Sequence, residues 1–198
     1  MNALLKPYLS ISTNLGRINS GLELGLNVKS EELLKIIYNR RSVRRYERKP
    51  IPEDVLRAIL EAGRLAPTAR NKQPWHFIVV TKPELKRKLI FSSWNSFMED
   101  AGAIIVGCGD SREKWAVVDV AIALENMVIA AEALGLGSCW IGYFEESEVK
   151  RALGIPDHLR VVAMIAVGYP AEKPEPPPKK SLDEIVHYET FRREEGKL

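Results

Sequence analysis

The sequence predicts an α+β fold in which helices cover a central sheet, and three features lead there. Four short aliphatic runs read as strands, but the helical segments among them do not alternate one for one as a doubly wound βαβ series requires. The segment from about Trp115 to Leu134 is apolar on nearly every face, so it belongs in the middle of a domain core or a subunit interface. Pro170 to Pro178 holds five prolines and reads as an extended strap, because proline fixes φ and donates no hydrogen bond.

Residues 1–29 carry Gly16, Gly21 and Gly25 among small and polar residues and read as an arm ahead of a domain spanning 30–191, with 192–198 as a tail. Ser30 is a helix cap, Glu31 and Glu32 suit the positive helix end, and Leu33, Leu34, Ile36 and Ile37 make the apolar stripe of a helix ending near Arg40. A second helix opens at Ile51-Pro52-Glu53-Asp54, buries Val55, Leu56, Ile59 and Leu60, and stops at Pro67. After the loop Thr68 to Pro74, His76 to Thr81 is a strand, and Pro83 to Leu89 a short helix. Ala103 to Gly107 is the next strand, followed by the long helix, which closes at Gly135. Ser138 to Gly142 is a strand, Ser147 to Leu153 a helix stopped by Gly154, and Val161 to Gly168 a strand. Beyond the strap, Ser181-Leu182-Asp183-Glu184 is a capping box opening a last helix to about Phe191.

Composition narrows the function classes. A chain of 198 residues buries a sizeable core without staples, and its two cysteines, Cys108 and Cys139, lack the spacing of a redox pair or metal site, which favours a reducing, cytoplasmic setting. A net charge of +3 argues against a general polyanion binder. Asp119, Glu125 and Glu132 interrupt the longest apolar stretch, so it is a buried helix and not a membrane span. The first 29 residues lack the unbroken apolar run of a signal peptide.

Three constellations carry chemistry. Six of the ten residues from Arg40 to Lys49 are basic, and Arg40-Arg41-Ser42-Val43-Arg44 sits where a helix gives way to extended chain. Guanidinium forks match phosphate oxygens in pairs and Ser42 adds a short donor, although a solvated basic turn or a nucleic-acid contact has the same composition. Pro67-Thr68-Ala69-Arg70-Asn71-Lys72-Gln73-Pro74 is a rigid polar loop whose amides suit a planar heterocycle, or else only satisfy the turn's own backbone. Gly135-Leu136-Gly137-Ser138-Cys139-Trp140-Ile141-Gly142 brackets a strand with glycines, which permit close backbone approach to a ligand or simply end a helix. It is not a GxGxxG dinucleotide fingerprint.

In this order, and with Lys179-Lys180-Ser181-Leu182-Asp183-Glu184-Ile185-Val186-His187 at the end, the motifs over residues 30–191 resemble the nitroreductase family. The resemblance implies a central mixed sheet covered by helices, in an intertwined homodimer with FMN at the subunit interface. Residues 170–191, strap and last helix, would reach the partner. It places Arg40, Arg41, Ser42 and Arg44 on the FMN phosphate, ribityl chain and N1/O2 edge, with Arg44 as the charge beside N1. Asn71 would bond the flavin, and Pro67, Thr68, Ala69 and Gln73 belong to the loop, of which Thr68 and Ala69 come from the other subunit. Ile141 and Gly142 would face N5 and O4, and Lys179 or Lys180 would complete the phosphate site. The implied activity is ping-pong electron transfer from NADH or NADPH to nitroaromatic, quinone or flavin-type acceptors, with no protein acid or base, no metal, no nucleic acid and no membrane.

The arm and the short turn Gly109 to Lys114, where larger relatives carry a lid, depart from the family pattern. The rival readings are a same-fold reductive dehalogenase or flavin-modifying enzyme, and a non-enzymatic FMN or nucleic-acid binder. Trp94, Phe97 and Trp115 are candidates either to roof the site or to pack the core. Cys139 reads as a small buried hydrophobe, and His76 and His187 as structural.

Overall fold

The computed structural model describes residues 28–191. The expected arm up to residue 27 and the tail 192–198 lie outside the described residues. Helix α1 spans Val28–Asn39, beginning two residues ahead of Ser30, so that serine lies in the first turn instead of capping it. Neither Val28 nor Lys29 breaks a helix, and the first turn propagates back through them. Helix α2 spans Glu53–Arg64, with acids in its first turn and Arg64 in its last, as the helix dipole favours. Strand β1 (Trp75–Val80), helix α3 (Pro83–Arg87), a 3-10 segment Ser93–Glu99 and strand β2 (Ala103–Asp110) follow. Helix α4 (Ala116–Ala133), strand β3 (Gly137–Ile141), helix α5 (Glu146–Leu153) and strand β4 (Leu159–Gly168) complete the core.

The strands pair in the order β1-β2-β4-β3, every pair antiparallel. The expectation of a mixed sheet is therefore corrected for the described residues, whose one parallel pairing is the isolated bridge Ser42–Ser138. β2 and β3, joined through α4, run in the same direction, but β4 pairs between them and opposes both.

Alternation along β2 shows why the sheet needs cover on both faces. Ile104, Val106 and Cys108 point into one cluster with Met98, Val149 and Met164, while Ile105 joins Ile59, Leu124 and Met127 under α2 and α4 on the other. Buried on both sides, the strand is a continuous apolar run.

The last helix is shorter than expected. α6 spans only Leu182–Ile185 behind its Ser181–Glu184 capping box, and Val186 is already extended. An isolated turn gains too little from its own hydrogen bonds to continue, and its apolar side chains are left exposed. Leu182, Tyr188 and Phe191 are 70%, 73% and 75% exposed.

Candidate functional site

The basic segment after α1 is clamped on both sides. On one side the Val43 N–H donates to the Ser138 carbonyl on β3 at 2.9 Å. On the other, the Glu47 N–H donates to Tyr169, the Ala171 N–H to Arg45, and Tyr46 pairs antiparallel with Pro170. The start of the proline strap thus forms the outer rail of the segment, and the Glu172 carboxylate accepts the Arg44 N–H at 2.6 Å. Gly137 makes this arrangement possible: a Cβ there would lie 2.7–3.0 Å from three carbons of Val43. Its lack of a side chain serves close packing of the segment on β3, not approach to a ligand.

Within the clamp the side chains diverge. Arg41 turns back, its Nη1 donating to the carbonyls of Tyr38 and Arg40 at 2.7 and 2.8 Å. Arg40, Ser42 and Arg44 gather around the buried Cys139 thiol, whose pKa burial pushes up while Arg44, Arg40 and the Ser42 hydroxyl pull it down. Burial likewise raises the Glu132 carboxyl near the end of α4, with Arg40 and Arg41 opposing. The positive cluster therefore stands beside the C-terminal end of α4 and the start of β3.

Beyond β3, Ile141 is buried, whereas a Cβ on Gly142 would meet nothing within 4 Å. Main chain here borders open space. Asn95, a residue the sequence reading passed over, donates its side-chain N–H to the Tyr143 carbonyl at 3.0 Å. This tie brings the 3-10 segment beside Gly142, and Trp94 next to Asn95 is 87% exposed. Phe97 instead packs on the core with its ring 6.4 Å from that of Tyr46. Trp115 is exposed beside Lys114, at the other end of the molecule's long helix.

The loop 67–74 is rigid and strained. Arg70, Asn71 and Gln73 have φ of 55°, 55° and 50°, a region that non-glycine residues adopt at a cost and keep only when the surroundings insist. Those surroundings are explicit. The Gln73 N–H donates to the Thr68 hydroxyl at 3.1 Å, the Gln73 amide to the Asn71 carbonyl at 3.2 Å, and the Lys72 ammonium to Glu113 at 2.7 Å. Thr68 and Gln73 are thus engaged with the loop itself, and Asn71 lies on the same rigid unit as Thr68 and Ala69. The Ala69 N–H donates to Asp119, a carboxylate only 4% exposed in the first turn of α4. The sequence showed Asp119 only as an acid interrupting an apolar stretch, and an acid on a buried face was the available signal.

These contacts put the two groups at opposite ends of α4. Asp119 holds the loop, Glu132 lies within the field of Arg40 and Arg41, and thirteen residues of helix separate the two acids by roughly 20 Å. They also lie toward opposite edges of the sheet, because the loop enters β1 and the arginine segment flanks β3. Lys179 and Lys180 are exposed and make no hydrogen bond or ion pair among the described residues. Two surface cavities of about 540 Å³ lie elsewhere, one at Glu146, Lys150 and Asp157, the other at Arg48, Lys86 and Asp100. In the latter, buried Lys86 donates to the Glu99 and Ala101 carbonyls, which pins the turn into β2. Among the described residues no group of His, Cys, Asp or Glu has the arrangement of a metal site, and no helix is long and apolar enough to cross a membrane.

The family model described as the nitroreductase family matches residues 37–103 and 92–169. A protein of Archaeoglobus fulgidus, whose name couples NADH dehydrogenase and NAD(P)H nitroreductase, is 39% identical over 154 residues, covering 72% of this chain and 88% of its own. The FMN reductase (NADPH) of Bacillus subtilis is 28% identical over 183 residues, covering 80% and 74%. The solved NfrA1 nitroreductase of B. subtilis superposes with a TM-score of 0.75 at 28% identity over 81% of this chain and 75% of that one. With its helix-covered sheet, its arginine segment and these relationships, the chain belongs to the nitroreductase family.

Proposed function

We propose that the protein is an FMN-dependent NAD(P)H oxidoreductase that works as a homodimer, each flavin site being built from two copies of the chain. The names of its relatives support the oxidoreductase reading, and the observation that carries the shared site is the separation along α4. Within one chain the loop held by Asp119 and the arginine segment beside Glu132 sit at opposite ends of α4, roughly 20 Å apart along its axis, so one ring system does not bridge them. It can touch both if a second copy brings its loop to the first copy's arginines. The uncovered apolar side chains agree: Leu33, Ile37 and Tyr38 on α1, Val117 and Val118 on α4, and Leu182, Ile185 and Phe191 beyond the strap all face outward.

The donor set fits FMN. Arg40, Ser42 and Arg44, with Lys179 or Lys180, would hold the phosphate, ribityl chain and N1/O2 edge, and Ile141 and Gly142 offer main chain beside open space. Thr68, Ala69 and Asn71 of the second copy would close the other side. When bound, FMN supplies two-electron chemistry at N5. The chain's own part is to orient the ring, place positive charge from Arg44 near N1 and leave a shallow face open. Trp94 and Tyr143, exposed beside the Asn95–Tyr143 tie next to Gly142, would offer rings that suit flat, electron-poor acceptors such as nitroaromatics, quinones or flavins.

Subunit complementation tests the shared site. Arg40→Ala/Arg44→Ala and Thr68→Ala/Asn71→Ala chains carrying different tags are co-expressed and the heterodimer purified through both tags. Each homodimer should take up little FMN, and the heterodimer about one FMN per dimer, because its lesions fall together in one site and leave the other whole. A heterodimer as empty as both parents would refute the arrangement. Anaerobic bleaching of the holoprotein by NADH and NADPH, then recolouring by added acceptors, tests the activity itself.

A further inference from the structure

We infer that the strap residue Glu172 is a positioning residue that holds Arg44 in place while moderating its positive field, so that it helps set the reduction potential of the site. The inference rests on the reading above that a flavin lies against Arg44.

Three observations on the same few atoms support it. The strap is tied to the arginine segment by the Glu47–Tyr169 and Ala171–Arg45 backbone bonds, and its next residue, Glu172, accepts the Arg44 N–H at 2.6 Å. The carboxylate engages the main chain of Arg44, and the Arg44 guanidinium enters no ion pair among the described residues, leaving it available to a ligand. Glu172 also acts on the surroundings against the arginine: the buried Tyr46 hydroxyl and Cys139 thiol are each pushed up by burial, further by Glu172, and pulled down by Arg44.

A neutral carbonyl would satisfy an N–H equally well. A carboxylate adds a full negative charge next to the group meant to receive negative charge. It therefore opposes the charge that the N1 edge gains on reduction, whereas Arg44 favours it.

The test is the midpoint potential of bound FMN in wild-type holoprotein, Glu172→Gln and Glu172→Ala. Glutamine keeps an acceptor for the Arg44 N–H and removes the charge, so the reduced form should gain about tenfold in affinity relative to the oxidised form, a rise of about 30 mV for a two-electron couple. Alanine should move the potential the same way, and Arg44→Ala the opposite way. A purely mechanical clamp would loosen both redox forms alike and leave the potential where it was. FMN bound with an unmoved or lowered potential in the Glu172 variants overturns this inference alone. A wild-type protein that takes up no FMN overturns the flavin reading and the inference with it.

Discussion

Gly137 and Gly142 bracket the same strand, yet replacing each with alanine should do different things. At Gly137 the new Cβ would sit 2.7, 2.8 and 3.0 Å from Cγ2, Cβ and Cγ1 of Val43. Because Cβ itself is among these atoms, no rotation of the valine relieves the clash; the two backbones must part by roughly 0.6 Å to restore ordinary contact. They are held together by the Val43–Ser138 hydrogen bond, and Val43 is buried, so the strain falls on the fold. Overpacking of this kind costs about 1–3 kcal/mol. In a chain of 198 residues, 2 kcal/mol lowers Tm by roughly 4–8 °C. At Gly142 the Cβ enters open space, so Gly142→Ala should keep the apoprotein within about 0.5 kcal/mol of wild type. If that space belongs to the flavin, the same change weakens FMN binding. Thermal melts of the apoproteins and fluorescence titration with FMN separate the two effects. A Gly137→Ala protein melting within about 1 °C of wild type would refute the packing argument, and Gly142→Ala with wild-type FMN affinity would refute the cradle.

Three other outcomes follow from the geometry. Asp119→Ala removes the acceptor of the Ala69 N–H from a strained loop, which should cost about 1–3 kcal/mol, weaken FMN binding and admit protease between Pro67 and Pro74; a loop as resistant as wild type would count against the anchor. Two substrates using one shallow face in turn should give parallel double-reciprocal lines, and intersecting lines would argue for separate sites. Burial raises the Cys108 thiol from 9.0 to about 11, so its folded form keeps the proton longer than the unfolded one. Stability should then be level below about pH 9 and fall through pH 11, by an amount on the order of 2–3 kcal/mol, with the buried Tyr46 adding to the loss at higher pH. Urea denaturation at stepped pH would show it, and Cys108→Ala should flatten the lower part of the decline.

Local order in this chain was legible where burial is unambiguous. The aliphatic runs of β1, β2, β3 and β4 and the all-round apolar α4 carry their environment in their composition, so element type followed directly. Boundaries and partners were not legible in the same way. Nothing in Ile104–Val106 says that β4, not β3, lies next to β2. Gly137 is compatible in sequence with a ligand approach or a helix end, whereas its reason is Val43, ninety-four residues earlier in the chain. Glu172 carried no signal at all among the prolines, since its importance comes from the Arg44 amide 128 positions away.

The candidate site shows the same division at a larger scale. Motif order brings Arg40 to Arg44, Thr68 to Asn71 and Ile141 to Gly142 together as one set, which a linear sequence permits. The fold then distributes that set, placing the strained loop at the first turn of α4 and the arginines at its last. A strained backbone held by a buried carboxylate is expensive to maintain for its own sake, as is a cationic segment railed on both sides with a carboxylate at its edge. Each half is over-built for a surface turn and insufficient for a ring-binding pocket. Apolar side chains on α1, α4 and beyond the strap are exposed among the described residues. On the proposed reading a second copy would relieve both conditions, since a two-fold partner delivers each loop and each arginine cluster in pairs.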